Sequence, residues 1–215
     1  DKGAYFPEWQ HSPDHAKALW HMVDSLCSAD PHLGVSSFLD HKEASRYFRH
    51  SREQVGDLFG QGVGRLREVE RHQRVTRQAN SASCFNLVGA AQVGKSSLTG
   101  MRVLHRLRGA IPVWPFDPVP ERGPVIIEIY TTVAAIAAGL SKGRSKVRDR
   151  AGLENALSRL DTDLPPPLLR YDDHSTDALI TAAWMKRVAT DHALWNPPAL
   201  TAAIAQKEGW TFGVI

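Results

Sequence analysis

The chain is poor in cysteine, because its 215 residues include only Cys27 and Cys84. Two cysteines without a pairing pattern or a Cys-x-x-Cys motif argue against a disulfide framework and against a cysteine-based zinc site. They indicate a reducing compartment, and we expect the cytoplasm. His11 and His15 are spaced four residues apart, but a solvated helix face explains this spacing better than a metal site does.

The sequence also lacks a long apolar run. No stretch reaches the roughly 18 apolar residues that a membrane-spanning helix needs, and the start, DKGAYFPEWQ, is not that of a signal peptide. We therefore expect no association with a membrane. The first residue is Asp1 and not Met, which we interpret as processing, removal of a tag or a fragment.

The excess of positive charge is small and local. The net charge is +3 and the isoelectric point is near 9.0, yet eight arginines lie within residues 46–77. They are Arg46, Arg49, Arg52, Arg65, Arg67, Arg71, Arg74 and Arg77. The region 46–77, like the basic cluster at 142–150, is able to meet phosphates, which predicts a nucleic-acid partner. A solvated face balanced by the neighbouring acidic residues is an equal alternative.

The periodicity of the chain predicts an α/β fold within one domain, residues 1–215. Residues 1–82 form a helical and Arg-rich region, and residues 83–215 form the α/β core. Extended segments alternate with helical ones, which is typical of a mixed sheet flanked by helices. The predicted strands are residues 84–88, 124–130 and 210–214, and the main predicted helices are residues 13–28, 96–107, 131–140, 151–160, 175–190 and 198–207.

Residues 89–96, Gly-Ala-Ala-Gln-Val-Gly-Lys-Ser, match the Walker A pattern in full. In such a loop the backbone N–H groups surround phosphates, Lys95 reaches the terminal phosphates and Ser96 binds Mg²⁺. The motif therefore predicts binding of ATP or GTP with Mg²⁺ through Gly89, Gly94, Lys95 and Ser96.

Other features oppose a nucleotide hydrolase. No second apolar strand ends in the Asp that would hold the magnesium ion. The structural alternative is a tight turn at Gly89 and Gly94, with Ser96 or Ser97 as the cap of the following helix. We therefore treat nucleotide binding as the alternative function.

Three carboxylates form a second candidate site. Glu128 lies in an apolar segment, where a charge is costly unless it is paired or bound to a metal. Asp173 and Asp177 are four residues apart at the start of a long helix, and Asp177 is on the same face as the apolar residues that follow it. Helix capping explains one of the two aspartates, whereas a shared Mg²⁺ or Mn²⁺ explains all three carboxylates. We predict metal ligands at Glu128 and Asp177, with Asp173 as a third catalytic residue.

The segments Val113–Asp117, Val125–Tyr130 and Asp173–Leu179 resemble, in this order, uncharacterised predicted nucleases of the ribonuclease H-like superfamily, a group of domains of unknown function. Residues 89–104 fit the same pattern, although relatives often lack a lysine at the position of Lys95. The resemblance implies a ribonuclease H-like mixed sheet and an acidic site for two divalent metals that cleaves a phosphodiester. It places Glu128 on a central strand and Asp177, assisted by Asp173, on a late helix.

One departure from this family concerns the first catalytic Asp, which the superfamily carries on its first strand. No apolar strand with an Asp precedes residue 84, so we expect the opening strands to be missing and the chain to be inactive as it stands. The leading functional hypothesis is a metal-dependent nuclease-like phosphodiester hydrolase, with DNA, RNA or neither as its substrate.

Overall fold

The computed structural model describes residues 5–89, 93–141 and 146–215, and these residues are mostly helical. They form nine α-helices and two short 3₁₀ segments at Pro31–Leu33 and Ala44–Tyr47. The helices are α1 (Ala16–Leu26), α2 (Ser36–Leu39), α3 (Glu68–Val75), α4 (Gly94–Arg106), α5 (Thr131–Ala137), α6 (Arg150–Ser158), α7 (Asp173–Val188), α8 (His192–Trp195) and α9 (Ala202–Lys207).

Among the described residues, β-structure is limited to isolated bridges. Arg49 pairs with Val55 and with Asn86, Val113 pairs with Ile126, and Glu128 pairs with Thr211. A bridge joins single residues and builds no sheet. The predicted α/β fold with a ribonuclease H-like mixed sheet is therefore wrong, and so is the resemblance on which it was based.

The segment 124–130 shows why the prediction failed. Its β-branched run predicted a strand buried on both faces, but Glu128 and Ile129 are exposed and Ile126 is only half-buried. Ile126 exchanges backbone hydrogen bonds with the stretch 112–114, at N···O distances of 2.8 and 2.9 Å. Pro112 in that stretch and Pro115 directly after it have no N–H group to extend the ladder, so the pairing ends after one bridge.

Helices were predicted more successfully than strands. The predicted helix at 13–28 is confirmed as α1, whose buried residues are Ala16, Leu19, Trp20 and Val23. None of the main predicted helices covers residues 65–82, yet this region contains α3. In α3 the Glu70 carboxylate accepts a hydrogen bond from the backbone N–H of Arg67, a capping arrangement that offsets the poor helix signal.

The chain divides into two compact units, and the first comprises Asp1–Ile127 and Leu200–Trp210. Its core is rich in aromatic rings around Phe6. This ring lies edge-on to Tyr47 with centroids 5.0 Å apart, and 5.3 Å from Trp9. Full burial of one such side chain contributes about 1.5–3 kcal/mol, so this cluster is a main source of stability in the first unit.

Helices α1 and α4 of the first unit pack together through a buried guanidinium. Arg102 is 1% exposed and its Nε donates to Asp24 Oδ1 at 2.9 Å. Arg106 Nε donates to the same oxygen at 2.9 Å, and Arg102 also donates to the carbonyl of Gly34. Burial raises the pKa of Asp24, but the hydrogen bonds from the two arginines outweigh burial, so this pKa lies below its ordinary value.

The second unit comprises Glu128–Ala199 and Thr211–Ile215, and α5 and α6 both pack against α7 in it. Phe212 lies 5.8 Å from Trp184 and 4.6 Å from Trp195, measured between ring centroids. Gly213 adopts φ +85°, and a Cβ there would come within 2.4 Å of the Trp184 ring. Glycine is thus needed for the backbone to pass this closely over the indole.

We expect Asp24→Asn to lower the free energy of unfolding by about 3 kcal/mol at neutral pH, because it leaves the buried charge of Arg102 uncompensated. The folded-state pKa of Asp24 is depressed. The stabilisation is therefore present above the unfolded pKa of about 3.9 and is lost as pH falls through the folded pKa. Urea denaturation of both proteins between about pH 7 and pH 2 measures the difference.

The matched control for this prediction is Asp40→Asn, since Asp40 is exposed and should change stability little at any pH. A difference between wild type and Asp24→Asn that stays constant down to the lowest pH would contradict the assignment of the effect to the Asp24 carboxylate.

Candidate functional site

The Walker A-like segment leads from an extended stretch into α4. The stretch is held by the bridge between Arg49 and Asn86, in which Arg49 N–H donates to the Phe85 carbonyl and Leu87 N–H donates to the Arg49 carbonyl, both at 3.0 Å. Gly89 follows with φ +103°. Residues 90–92 of the motif lie outside the described residues, and α4 begins at Gly94.

Gly94 is required by a close approach of the helix start to the preceding chain. A Cβ at this position would come within 2.6 Å of the Cys84 carbonyl oxygen and 2.7 Å of Leu87 Cδ2. The N–H of Gly94 donates to the carbonyl of Asn86 at 3.3 Å. The first turn of α4 is therefore positioned directly against residues 84–87.

The amino terminus of α4 has no side-chain cap. Its N-cap residue is Val93, and the predicted cap by Ser96 or Ser97 is wrong. Lys95 and Ser96 are exposed in the first turn, which contains no acidic residue. Within residues 5–89, 93–141 and 146–215, the N–H groups of Lys95 and Ser96 meet no acceptor and Lys95 has no ion-pair partner.

Of the predicted metal ligands, Glu128 is exposed and belongs to the second unit. Its Oε1 accepts a hydrogen bond from Thr211 Oγ1 at 2.7 Å, and its carbonyl accepts one from Phe212 N–H at 2.9 Å. An exposed carboxylate carries little desolvation cost. The sequence argument that a buried Glu128 requires a metal or a cation therefore loses its premise.

Asp173 and Asp177 of the second unit are brought together by a lysine. Lys146 Nζ lies 2.8 Å from Asp177 Oδ2 and 3.5 Å from Asp173 Oδ2. Arg148 Nη1 lies 2.7 Å from Asp173 Oδ1, and Thr131 Oγ1 donates to Asp177 at 3.2 Å. The hydrogen bond to Asp177 raises the pKa of Lys146 above its ordinary value. The two aspartates thus already have cationic partners.

The sequence missed the partners that occupy these carboxylates. Lys146 and Arg148 belong to the basic cluster at 142–150, which was interpreted as a phosphate-contacting surface, and residues 142–145 of that cluster lie outside the described residues. The N-cap of α7 is Asp172, which accepts from Ser175 N–H at 2.9 Å, so capping is the role of neither Asp173 nor Asp177. In the described part of the chain, no three His, Cys, Asp or Glu side chains are grouped to hold a metal ion.

Several arginines of the region 46–77 are engaged in internal contacts. Arg46 Nη2 lies 2.7 Å from Asp57, Arg67 Nε lies 3.0 Å from Glu70, and Arg71 Nη2 lies 2.7 Å from Glu68. Arg65 lies over the rings of Tyr47 and Phe85 at 5.7 and 5.6 Å. These contacts favour the balanced surface over a free basic patch for phosphates.

Comparison with known proteins finds no family model, no curated protein and no solved structure that matches this chain. The absence of a matching family agrees with the helical architecture in giving no support to the ribonuclease H-like resemblance. Over the described residues, no helix has the length and apolar character needed to cross a membrane.

We expect the Lys146–Asp177 pair to have a coupling energy of about 0.2–1 kcal/mol, because the lysine side chain is 48% exposed and solvent screens the pair. A double-mutant cycle of Lys146→Ala and Asp177→Ala, followed by urea denaturation at low and high salt, measures it. The coupling should weaken as salt is added.

Lys186→Ala combined with Asp177→Ala provides the control, since Lys186 is exposed near the other end of α7 and should show no coupling. A zero coupling for Lys146 at low salt would show that the lysine does not neutralise the aspartate in solution.

Proposed function

We propose that this chain binds the phosphate groups of ATP or GTP, together with Mg²⁺, at the Walker A-like loop. The observation that carries the proposal is the start of α4 at Gly94, which makes the Gly-Lys-Ser of the motif the uncapped first turn of a 13-residue helix. Sequence and local structure thus place the same residues at a helix amino terminus, where anions are favoured.

Each residue of the motif has a role that suits the chemistry of phosphate. The N–H groups of Lys95 and Ser96, which meet no acceptor among the described residues, donate to phosphate oxygens. The exposed ammonium of Lys95 neutralises the terminal phosphates as a point charge. The hydroxyl of Ser96 is an oxygen ligand of the kind that Mg²⁺ prefers, and the ion would keep several waters. Gly89, with positive φ, allows the chain to turn around the phosphates.

The proposal covers binding and no hydrolytic step. P-loop hydrolases hold Mg²⁺ with an additional Asp outside the loop, and in the first unit the described segments before α4 form bridges in place of a sheet. Phosphate recognition needs only the loop, the helix start and the lysine. We therefore propose a local phosphate-binding site and not a nucleotide-hydrolase fold.

We expect Lys95→Ala to weaken binding of Mg²⁺-ATP or Mg²⁺-GTP by about tenfold or more, since a hydrogen bond to a charged group is worth about 1.5–3 kcal/mol. Isothermal titration of wild type and variant with each nucleotide measures the effect. Lys42→Ala is the matched control, because Lys42 is an exposed lysine of the same unit outside the motif.

Two outcomes contradict the proposal. One is the absence of binding by wild type at millimolar nucleotide, and the other is equal affinity in wild type and Lys95→Ala. Titration with inorganic tripolyphosphate tells whether the loop recognises phosphate alone or also the nucleoside.

A metal-dependent phosphodiester hydrolase at Glu128, Asp173 and Asp177 stays a prediction, as do the nucleic-acid partner and the cytoplasmic location. The observation behind it is the closeness of Asp173 and Asp177 to each other. Both aspartates lie within 3.5 Å of the same cationic nitrogen, so their joint field attracts a cation at one point. A divalent ion would have to displace Lys146 from that point, which costs the existing ion pairs.

If this hydrolase activity exists, Asp177→Asn should abolish cleavage of plasmid DNA or of RNA in Mn²⁺ or Mg²⁺, because a neutral amide is a poor ligand for a hard cation. Gel electrophoresis of the digested substrate measures it. Glu154→Gln is the control, since Glu154 is an exposed acid on α6. Cleavage that continues in Asp177→Asn would refute the prediction.

A further inference from the structure

We propose that His21 and His105 form a Zn²⁺ site on the paired helices α1 and α4. The Nδ1 atom of His21 lies 3.4 Å from Nε2 of His105, and the two ring centroids are 5.1 Å apart. The imidazoles meet across the helix pair, from positions 84 residues apart in the sequence. Their nitrogens converge on the exposed side of the pair, where a hydrated ion has access.

The separation of the nitrogens fits two ligands of one tetrahedral zinc ion. Zn²⁺ binds imidazole nitrogen at about 2.0–2.1 Å, and two tetrahedral ligands at that distance are about 3.4 Å apart. The two rings share a long hydrogen bond at this distance, which a bound zinc ion would replace.

The helix pair holds the two histidines in position. Asp24, one turn after His21 on α1, receives hydrogen bonds from Arg102 and Arg106 on α4. Arg102 and Arg106 lie three residues before and one residue after His105. These ion pairs fix the rotation and register of the helices beside the imidazoles. Few further side chains therefore lose conformational freedom when a metal ion binds.

The ligand chemistry favours zinc over the common hard cations. Imidazole nitrogen suits Zn²⁺, whereas Mg²⁺ and Ca²⁺ require oxygen ligands. Two protein ligands leave two positions of a tetrahedral ion for water. No third His, Cys, Asp or Glu joins these two in the described ranges, so the site consists of two histidines and solvent.

The test is a titration of the full chain with ZnCl₂ in the absence of nucleotide. We expect one zinc ion per chain and a higher melting temperature with zinc, because the ion binds only when α1 and α4 are paired. Loss of even an outer-shell partner weakens metal sites by about tenfold or more. His21→Asn and His105→Asn, each of which removes a ligand, should weaken binding by at least that factor.

Two controls separate this site from the other histidines. His192→Asn removes an exposed histidine of the second unit and should leave zinc affinity unchanged. His105→Cys supplies a different zinc ligand and should retain binding that His105→Asn loses. Circular dichroism checks that each variant is folded, and the visible absorption of Co²⁺ in place of Zn²⁺ reports tetrahedral coordination.

Wild-type affinity in His21→Asn and His105→Asn, or an equal loss in His192→Asn, would overturn the proposal. Lys95→Ala distinguishes this site from the phosphate site at the other end of α4. We expect Lys95→Ala to bind zinc as wild type does, whatever its affinity for nucleotide. The zinc proposal and the nucleotide proposal can therefore be refuted independently.

Discussion

The buried guanidinium of Arg102 is the constraint on which the first unit depends. A charge that is 1% exposed requires compensation, and Asp24 on α1 supplies it together with the carbonyl of Gly34. This requirement forces α4 to lie against α1 in one register. The packing of α4 on α1 also positions both ends of α4. The helix carries the Gly-Lys-Ser turn at its amino end and His105 in its last turn.

Local periodicity was enough to predict most helices, and distant pairing explains the failures. The helix at 131–140 was predicted from its own residues and is confirmed as α5. The strand at 124–130 was inferred from β-branched side chains, but a strand exists only where a neighbour offers a ladder, and the prolines of the stretch 112–115 end that ladder after one bridge. Burial of Glu128 was inferred from this strand and failed with it.

The candidate sites show the same division between local and distant information. The loop at 89–96 could be read from contiguous residues, and its helix starts where the motif requires. The partners of Asp173 and Asp177 could not be predicted, since Lys146 and Arg148 lie 25 or more residues away and looked like a separate basic cluster. The pairing of His21 with His105 could not be predicted from the sequence either, because only helix packing brings the two residues together.

A P-loop relies on a sheet to hold its two ends, whereas in this chain other contacts hold the residues on either side of 90–92. The end before the loop is fixed by the bridge of Asn86 to Arg49. The end after the loop is fixed by Gly94, whose missing side chain lets α4 begin against the carbonyls of Cys84 and Asn86. What a sheet provides in a P-loop protein is rigidity at these two points and an Asp for the metal. Here a backbone bridge and the close packing of Gly94 hold these two points, and the proposed binding of phosphate depends on that support.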